Sequence, residues 1–264
     1  MNNWDFRSGE ELALASAYLE TGFVVCNGER EIINCMKEIV TREACKFVGC
    51  KRLQLEEIHT HIEDSKSNDL RLQILKSVWE SDAFNRLYFD SCRDIVEMLC
   101  GNELAMQKRI GMSVQLPDNA NDALPIHADT WNGVSEYELN ILVPLVSCKK
   151  TASLYILDRK SYDQARIDFP GLLKKSSGGI YECLKDYLTW IEVEYGSFIA
   201  FDQSLPHGFC TNRESQTHWS LNCRFKTLFS PYRDKRLGEY FMPITTKACT
   251  LAGARYKEPM TWLR

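Results

Sequence analysis

After Gly101 the chain changes texture, and this change constrains its fold more than any single motif. Beyond it, short runs of β-branched and aromatic residues alternate with turn residues over 105–116, 126–130, 137–145, 153–157, 191–194, 197–201, 207–211 and 217–228. Many short strands with frequent turns predict an all-β sandwich or barrel. The preceding hundred residues carry a helical period instead. Ser8-x-x-Glu11 makes a capping box, followed by Leu12, Ala15 and Leu19 on one face. Phe23-Val24-Val25-Cys26 reads as a short buried strand. Ile33, Met36, Ile39, Val40, Ala44 and Phe47 predict a helix over 30–47, and two more helices are expected over 69–81 and 82–99. The expected class is mainly β with α, in a single domain over 1–264. A helical layer spans 1–103, the β core 104–230, and a C-terminal extension 231–264. Residues 171–188 interrupt the strands as a loop and helix.

The 264 residues can bury a substantial core without disulfides. Lys plus Arg is 32 and Asp plus Glu is 36, so 32 − 36 gives −4, which argues against a nucleic-acid partner. The start, Met1-Asn-Asn-Trp-Asp-Phe, has neither a basic nor an apolar signal region. Leu12 to Leu19 is too short to span a bilayer, so no membrane partner is expected. Eleven cysteines without a C-x-x-C pair predict reduced thiols and a cytoplasmic protein.

Five histidines are present, and His127-Ala128-Asp129 holds one of them on an expected strand. Side chains at i and i+2 share a strand face, so an imidazole and a carboxylate would converge. With one distant His they make a two-His-one-carboxylate set, which leaves the other positions of an octahedral Fe(II) open. A His and an Asp in an exposed turn is the alternative. His207 follows a turn, a buried strand and a loop over 196–206. Gly208 next to it is expected to let the backbone pass close to a ligand, and a satisfied surface His in a Pro-His-Gly turn is the other option.

Downstream, His218, Ser220, Asn222 and Arg224 share one strand face, and Trp219, Leu221, Cys223 and Phe225 the other. The apolar face should pack outward on a second layer. An Arg facing inward needs an anionic partner, and a carboxylate ligand suits its fork.

On His127-x-Asp129, Gly196 to Phe201 leading into His207-Gly208, and the basic strand containing Arg224, the sequence resembles the Fe(II)- and 2-oxoglutarate-dependent oxygenases, in particular the phytanoyl-CoA-hydroxylase-like branch. These elements span about half the chain, from Arg109 to Ser230. The resemblance implies a double-stranded β-helix, a cupin-like jelly roll, with helices packed on one sheet. It also implies iron on His127, Asp129 and His207, 2-oxoglutarate chelating that iron, consumption of O₂, and release of succinate. The position where that family often carries its cosubstrate Arg, eleven residues after the distal His, holds His218 here; Arg224 lies seventeen residues after it. Arg224 is the expected anchor, with Ser220 as a second contact, His218 as its rival and Gln115 as a further candidate. Trp219 to Pro243 also resembles, more loosely, a subgroup from bacterial carbohydrate or small-molecule biosynthetic clusters, which implies a polar substrate. Trp131 and Tyr137, with Asn222, are candidate substrate contacts. Two other classes remain open: an inert jelly-roll binding module, and a cupin-type isomerase or hydrolase. His59-Thr60-His61, among Glu56, Glu57 and Glu63, reads as a solvated segment rather than a metal site.

Overall fold

The computed structural model describes residues 5–165, 169–172 and 174–257. Parts of three expectations lie outside the described residues: the start of the chain over 1–4, residue 173 of the expected loop and helix, and the end of the C-terminal extension over 258–264.

The helical layer consists of α1 (Gly9–Thr21), α2 (Arg30–Val48), α3 (Ser67–Trp79), α4 (Asp82–Asp90) and α5 (Arg93–Cys100). The Ser8 hydroxyl caps α1 by accepting the Glu11 N–H at 3.1 Å. The single helix expected over 82–99 is two. At the break the Ser91 hydroxyl donates to the Tyr88 carbonyl at 2.7 Å, and local bonding of this kind competes with the helix ladder. Three short helices interrupt the strands or follow them: α6 (Arg159–Ala165), α7 (Phe169–Leu172) and α8 (Ser177–Leu184); α9 (Ala248–Arg255) comes last.

Among the described residues eleven strands form two antiparallel sheets: β1 (Phe23–Asn27), β2 (Leu104–Gln107), β3 (Gly111–Gln115), β4 (Leu124–His127), β5 (Leu139–Pro144), β6 (Leu154–Leu157), β7 (Leu188–Ile191), β8 (Ser197–Asp202), β9 (His207–Phe209), β10 (His218–Thr227) and β11 (Phe241–Thr245). The larger sheet runs β1-β8-β5-β10-β2-β11, with β3 also pairing β10; the smaller runs β4-β9-β6-β7. The strand expected over 105–116 is broken into β2 and β3. Between them the Lys108 N–H bonds the Tyr240 carbonyl at 2.9 Å, and the Gln107 amide takes the Arg109 carbonyl, which draws the backbone off the ladder. The C-terminal extension gives the large sheet an edge strand, β11, whose Pro243 stands opposite Ala105. An edge tolerates the missing N–H of proline.

The outer face of the large sheet carries the main core. Trp219, Leu221, Cys223 and Phe225 are fully buried there against Ile33, Met36, Ile74, Phe84 and Tyr88 of the helical layer, as the alternation predicts. Each large apolar side chain buried this way contributes about 1.5–3 kcal/mol. Polar bonds fix the two layers in register: Trp219 Nε1 donates to the Leu55 carbonyl at 2.7 Å, and the Tyr88 hydroxyl donates to the Ile141 carbonyl at 2.7 Å. A second apolar cluster joins the inner faces of the two sheets through Leu142, Ile199, Phe201, Leu154, Ile156 and Phe209. A third, around Ile126, Tyr155 and Leu157, is covered by Ile180 and Leu184 of α8. No helix among the described residues is long and apolar enough to cross a membrane, and every described cysteine is free.

Candidate metal centre

His127 ends β4 and His207 begins β9, and the two are direct cross-strand partners. Their ring centroids are 4.5 Å apart. Asp129 is not on the strand as expected. The strand stops at His127, and Asp129 opens a 3₁₀ turn over Asp129–Asn132. Its N–H bonds the Gln203 carbonyl at 3.0 Å, which ties this turn to the loop after β8. The carboxylate thus reaches the two imidazoles from a turn rather than from the shared face of a strand. One donor atom from each of His127, Asp129 and His207 lies within 4.8 Å of the others, and this is the cluster of metal-ligating side chains found among the described residues. Gly208 has a different reason from the one expected. A Cβ there would lie 2.4 Å from the Tyr155 hydroxyl and 2.5 Å from the Leu124 carbonyl, so the protein's own β4 and β6 occupy the space.

The donor set fits a divalent transition metal. Nδ1 of His127 lies 2.9 Å from the Pro125 carbonyl, and Nδ1 of His207 lies 2.8 Å from the Leu205 carbonyl. A carbonyl only accepts, so each Nδ1 carries the proton and each Nε2 presents a lone pair, the outer arrangement that orients metal-binding imidazoles. Burial foremost, then the neighbouring His127, pushes the His207 pKa down to about 4, which keeps it neutral at pH 7. Burial opposes ionisation of Asp129, but His127, Arg224 and His207 together hold its carboxyl well below the usual range. Burial likewise disfavours a charged His127, yet Asp129 and the Pro125 carbonyl outweigh it and raise its pKa.

Arg224 faces inward as expected, and its partner is Asp129. Its Nε and NH2 donate to Asp129 Oδ2 at 3.1 and 2.6 Å. The same guanidinium donates to Gln203 Oε1 at 2.7 Å, Gln107 Oε1 at 3.1 Å and the Tyr240 hydroxyl at 2.7 Å. His218 is buried between Cys148 Sγ at 3.2 Å and Ser220 Oγ at 2.9 Å. Burial drives its pKa down to about 3, so it is a neutral neighbour of Ser220 at pH 7. Gln115 is buried opposite His218 and donates weakly to the Asp122 and Cys210 carbonyls, both at 3.3 Å, while its Oε1 has no partner. Asn222 leans over Gly111, where a Cβ would meet its Oδ1 at 1.9 Å. Trp131 packs on the apolar cluster beneath α8. Tyr137 is 55% exposed and lines a separate cavity with Tyr18, Leu99, Glu136 and Thr227. His59 Nδ1 contacts the Thr217 hydroxyl at 2.9 Å, a structural bond.

Sequence reasoning missed Gln107, Gln203 and Tyr240, which come from three separate segments. It also missed Asn140, which stands opposite Arg224 on β5 with its Oδ1 unpartnered and buried. Alternation along Leu139-Asn140-Ile141 was the available signal for that inward amide.

No family model matches the chain, and no curated protein matches it. Solved structures do. The non-heme monooxygenase ThoJ in complex with nickel matches with a TM-score of 0.57 at 12% identity, covering 90% of this chain and 85% of ThoJ. The non-heme α-ketoglutarate-dependent epimerase SnoN from nogalamycin biosynthesis matches with a TM-score of 0.52 at 13% identity, covering 82% of each chain. The α-ketoglutarate-dependent carbocyclase SnoK, from the same biosynthesis, matches with a TM-score of 0.52 at 14% identity, covering 86% of this chain and 87% of SnoK. The chain therefore has the two-sheet jelly-roll fold of these non-heme enzymes, carried behind a layer of N-terminal helices.

Proposed function

We propose that the chain is an Fe(II)- and 2-oxoglutarate-dependent oxygenase that hydroxylates a small polar molecule such as a sugar or amino-acid derivative. One observation carries this: two imidazoles with free Nε2 atoms and one carboxylate converge inside a jelly roll. With only three protein ligands, a metal held here would keep positions free for a cosubstrate. The names of SnoN and SnoK support the choice of cosubstrate, since both are α-ketoglutarate-dependent enzymes. Iron and cosubstrate, when bound, supply the oxidising power.

The chain's own residues do the rest. His127, Asp129 and His207 would hold the ion. Ser220 offers a hydroxyl on the inward face of β10, oriented by neutral His218. Gln115 and Asn140 offer buried amides whose oxygens await a donor. A polar inward face of this kind favours a substrate or cosubstrate rich in hydrogen-bonding groups over an apolar one.

The test is metal calorimetry with Ni(II) or anaerobic Fe(II), followed by a succinate assay. His127→Ala and His207→Ala should stay folded and lose most metal affinity. The iron-loaded wild-type protein should form succinate only with 2-oxoglutarate and O₂. Unchanged metal affinity in both variants, or no succinate under any substrate screened, would count against the proposal.

A further inference from the structure

We propose that Arg224 is a positioning residue for the metal carboxylate and not the anchor of the cosubstrate. Two of its nitrogens converge on one oxygen of Asp129, Oδ2. The other oxygen, Oδ1, is left 3.5 Å from His127 Nε2, and a carboxylate oxygen of Asp129 lies within 4.8 Å of a donor atom of each histidine. Arg224 thereby decides which carboxylate oxygen faces the ion and keeps Asp129 a one-oxygen ligand. A carboxylate binding through both oxygens would take up one of the positions that a keto acid and O₂ require.

The guanidinium is itself built in. Gln107, Gln203 and Tyr240 each accept from it, and the Arg224 side chain is 16% exposed. Gln203 is fully buried and held in turn, its amide donating to Glu138 Oε2 at 2.9 Å and to the Ser135 carbonyl at 3.1 Å. The Gln203 carbonyl also takes the Asp129 N–H. One residue thus fixes both the backbone of Asp129 and the group that orients its side chain. Turning Arg224 toward a carboxylate elsewhere would strand three acceptors and leave Asp129 buried without its partner, a cost that sets it apart from a free interior cation. The other inward cation on β10, Lys226, is held by the Pro231 carbonyl at 2.6 Å and stacked on Tyr232. With both cations of this face engaged, β10 has only neutral inward groups, among them the Ser220 hydroxyl, to offer the distal carboxylate of a keto acid.

This inference rests on the oxygenase proposal, and the experiment separates the two. Ni(II) affinity is measured without any keto acid, and keto-acid preference is measured as the ratio of decarboxylation with 2-oxoglutarate to that with 2-oxobutyrate, which lacks the distal carboxylate. Arg224→Ala should bind Ni(II) about 10–100-fold more weakly, the range typical of lost outer-shell partners. Arg224→Lys should recover part of that loss, and the keto-acid ratio should match wild type in both. Metal affinity at or above the wild-type level overturns the inference, as does loss of the preference for 2-oxoglutarate. If Arg224→Ala fails to fold, Tyr240→Phe, which removes one acceptor and touches neither ligand nor carboxylate, is judged by the same two criteria with a smaller expected drop. A wild-type protein that binds no Ni(II) sinks the oxygenase proposal instead.

Discussion

Replacing Gly208 with alanine tests whether the close packing of β4, β9 and β6 is what brings the two histidines together. The added methyl would sit 2.4 Å from the Tyr155 hydroxyl and 2.5 Å from the Leu124 carbonyl, both well inside van der Waals contact. The hydroxyl ends a side chain and can retreat. The carbonyl is backbone of β4, the strand that ends in His127, so relief requires β4 and β9 to separate. Overpacking of this kind costs about 1–3 kcal/mol. At roughly 2–4 °C per kcal/mol for a domain of this size, the melting temperature should fall by about 2–12 °C. The same separation pulls His127 away from His207, so Ni(II) affinity should fall as well. Thermal unfolding with and without Ni(II) measures both effects. Adding Tyr155→Phe to Gly208→Ala removes only the mobile obstruction and should restore less than half of the lost stability. Full rescue by the phenylalanine, or wild-type behaviour of Gly208→Ala alone, would show that the strands do not set the metal geometry.

Asp129→Ala should destabilise the metal-free protein by about 3–5 kcal/mol, because it leaves the buried Arg224 charge without its partner; His127→Ala should cost distinctly less, and urea unfolding of the two side by side decides. The metal-free protein should also lose stability as pH falls below 6.5. His207 and His218 have folded pKa values of about 4 and 3 against 6.5 unfolded, so the unfolded state binds protons first, and the stability present above pH 6.5 is lost on the way down. His127, whose pKa is raised, acts at higher pH in the opposite sense. Urea midpoints that stay flat between pH 7 and 5 would contradict this.

The cluster of His127, Asp129 and His207 was legible in the sequence because histidines are few and the three fall in a recognisable order. The inward direction of Arg224 was legible too, since strand alternation has a period of two. Its partner was not. Asp129 comes from a 3₁₀ turn and Gln203 from a loop, and no periodicity links either to β10. The same holds for Tyr240, which reaches Arg224 just ahead of β11. That strand was itself hidden, because Pro243 breaks the pattern by which strands are read and is tolerated only because the strand lies at an edge. The split of 82–99 at Ser91 and of 105–116 at Lys108 both follow from local hydrogen bonds, one at the first and two at the second, which leave no trace in apolar spacing.

The order of strands in the large sheet also says when the molecule can form. Its first strand in the chain, β1, pairs with β8, so Phe23 must find Phe201. Its strand β10 follows β2, β3 and β5 in the chain and joins all three. During translation the helical layer emerges ahead of β2 to β10, with Ile33, Met36, Ile74 and Phe84 lacking the sheet face that covers them. Such long-range pairing is slow, and the waiting apolar surface is prone to association. The sheet that shields the helices and brings Arg224 to Asp129 can close only after residue 227 has left the ribosome, and Tyr240 and Phe241 must follow before the guanidinium cluster and the core are complete.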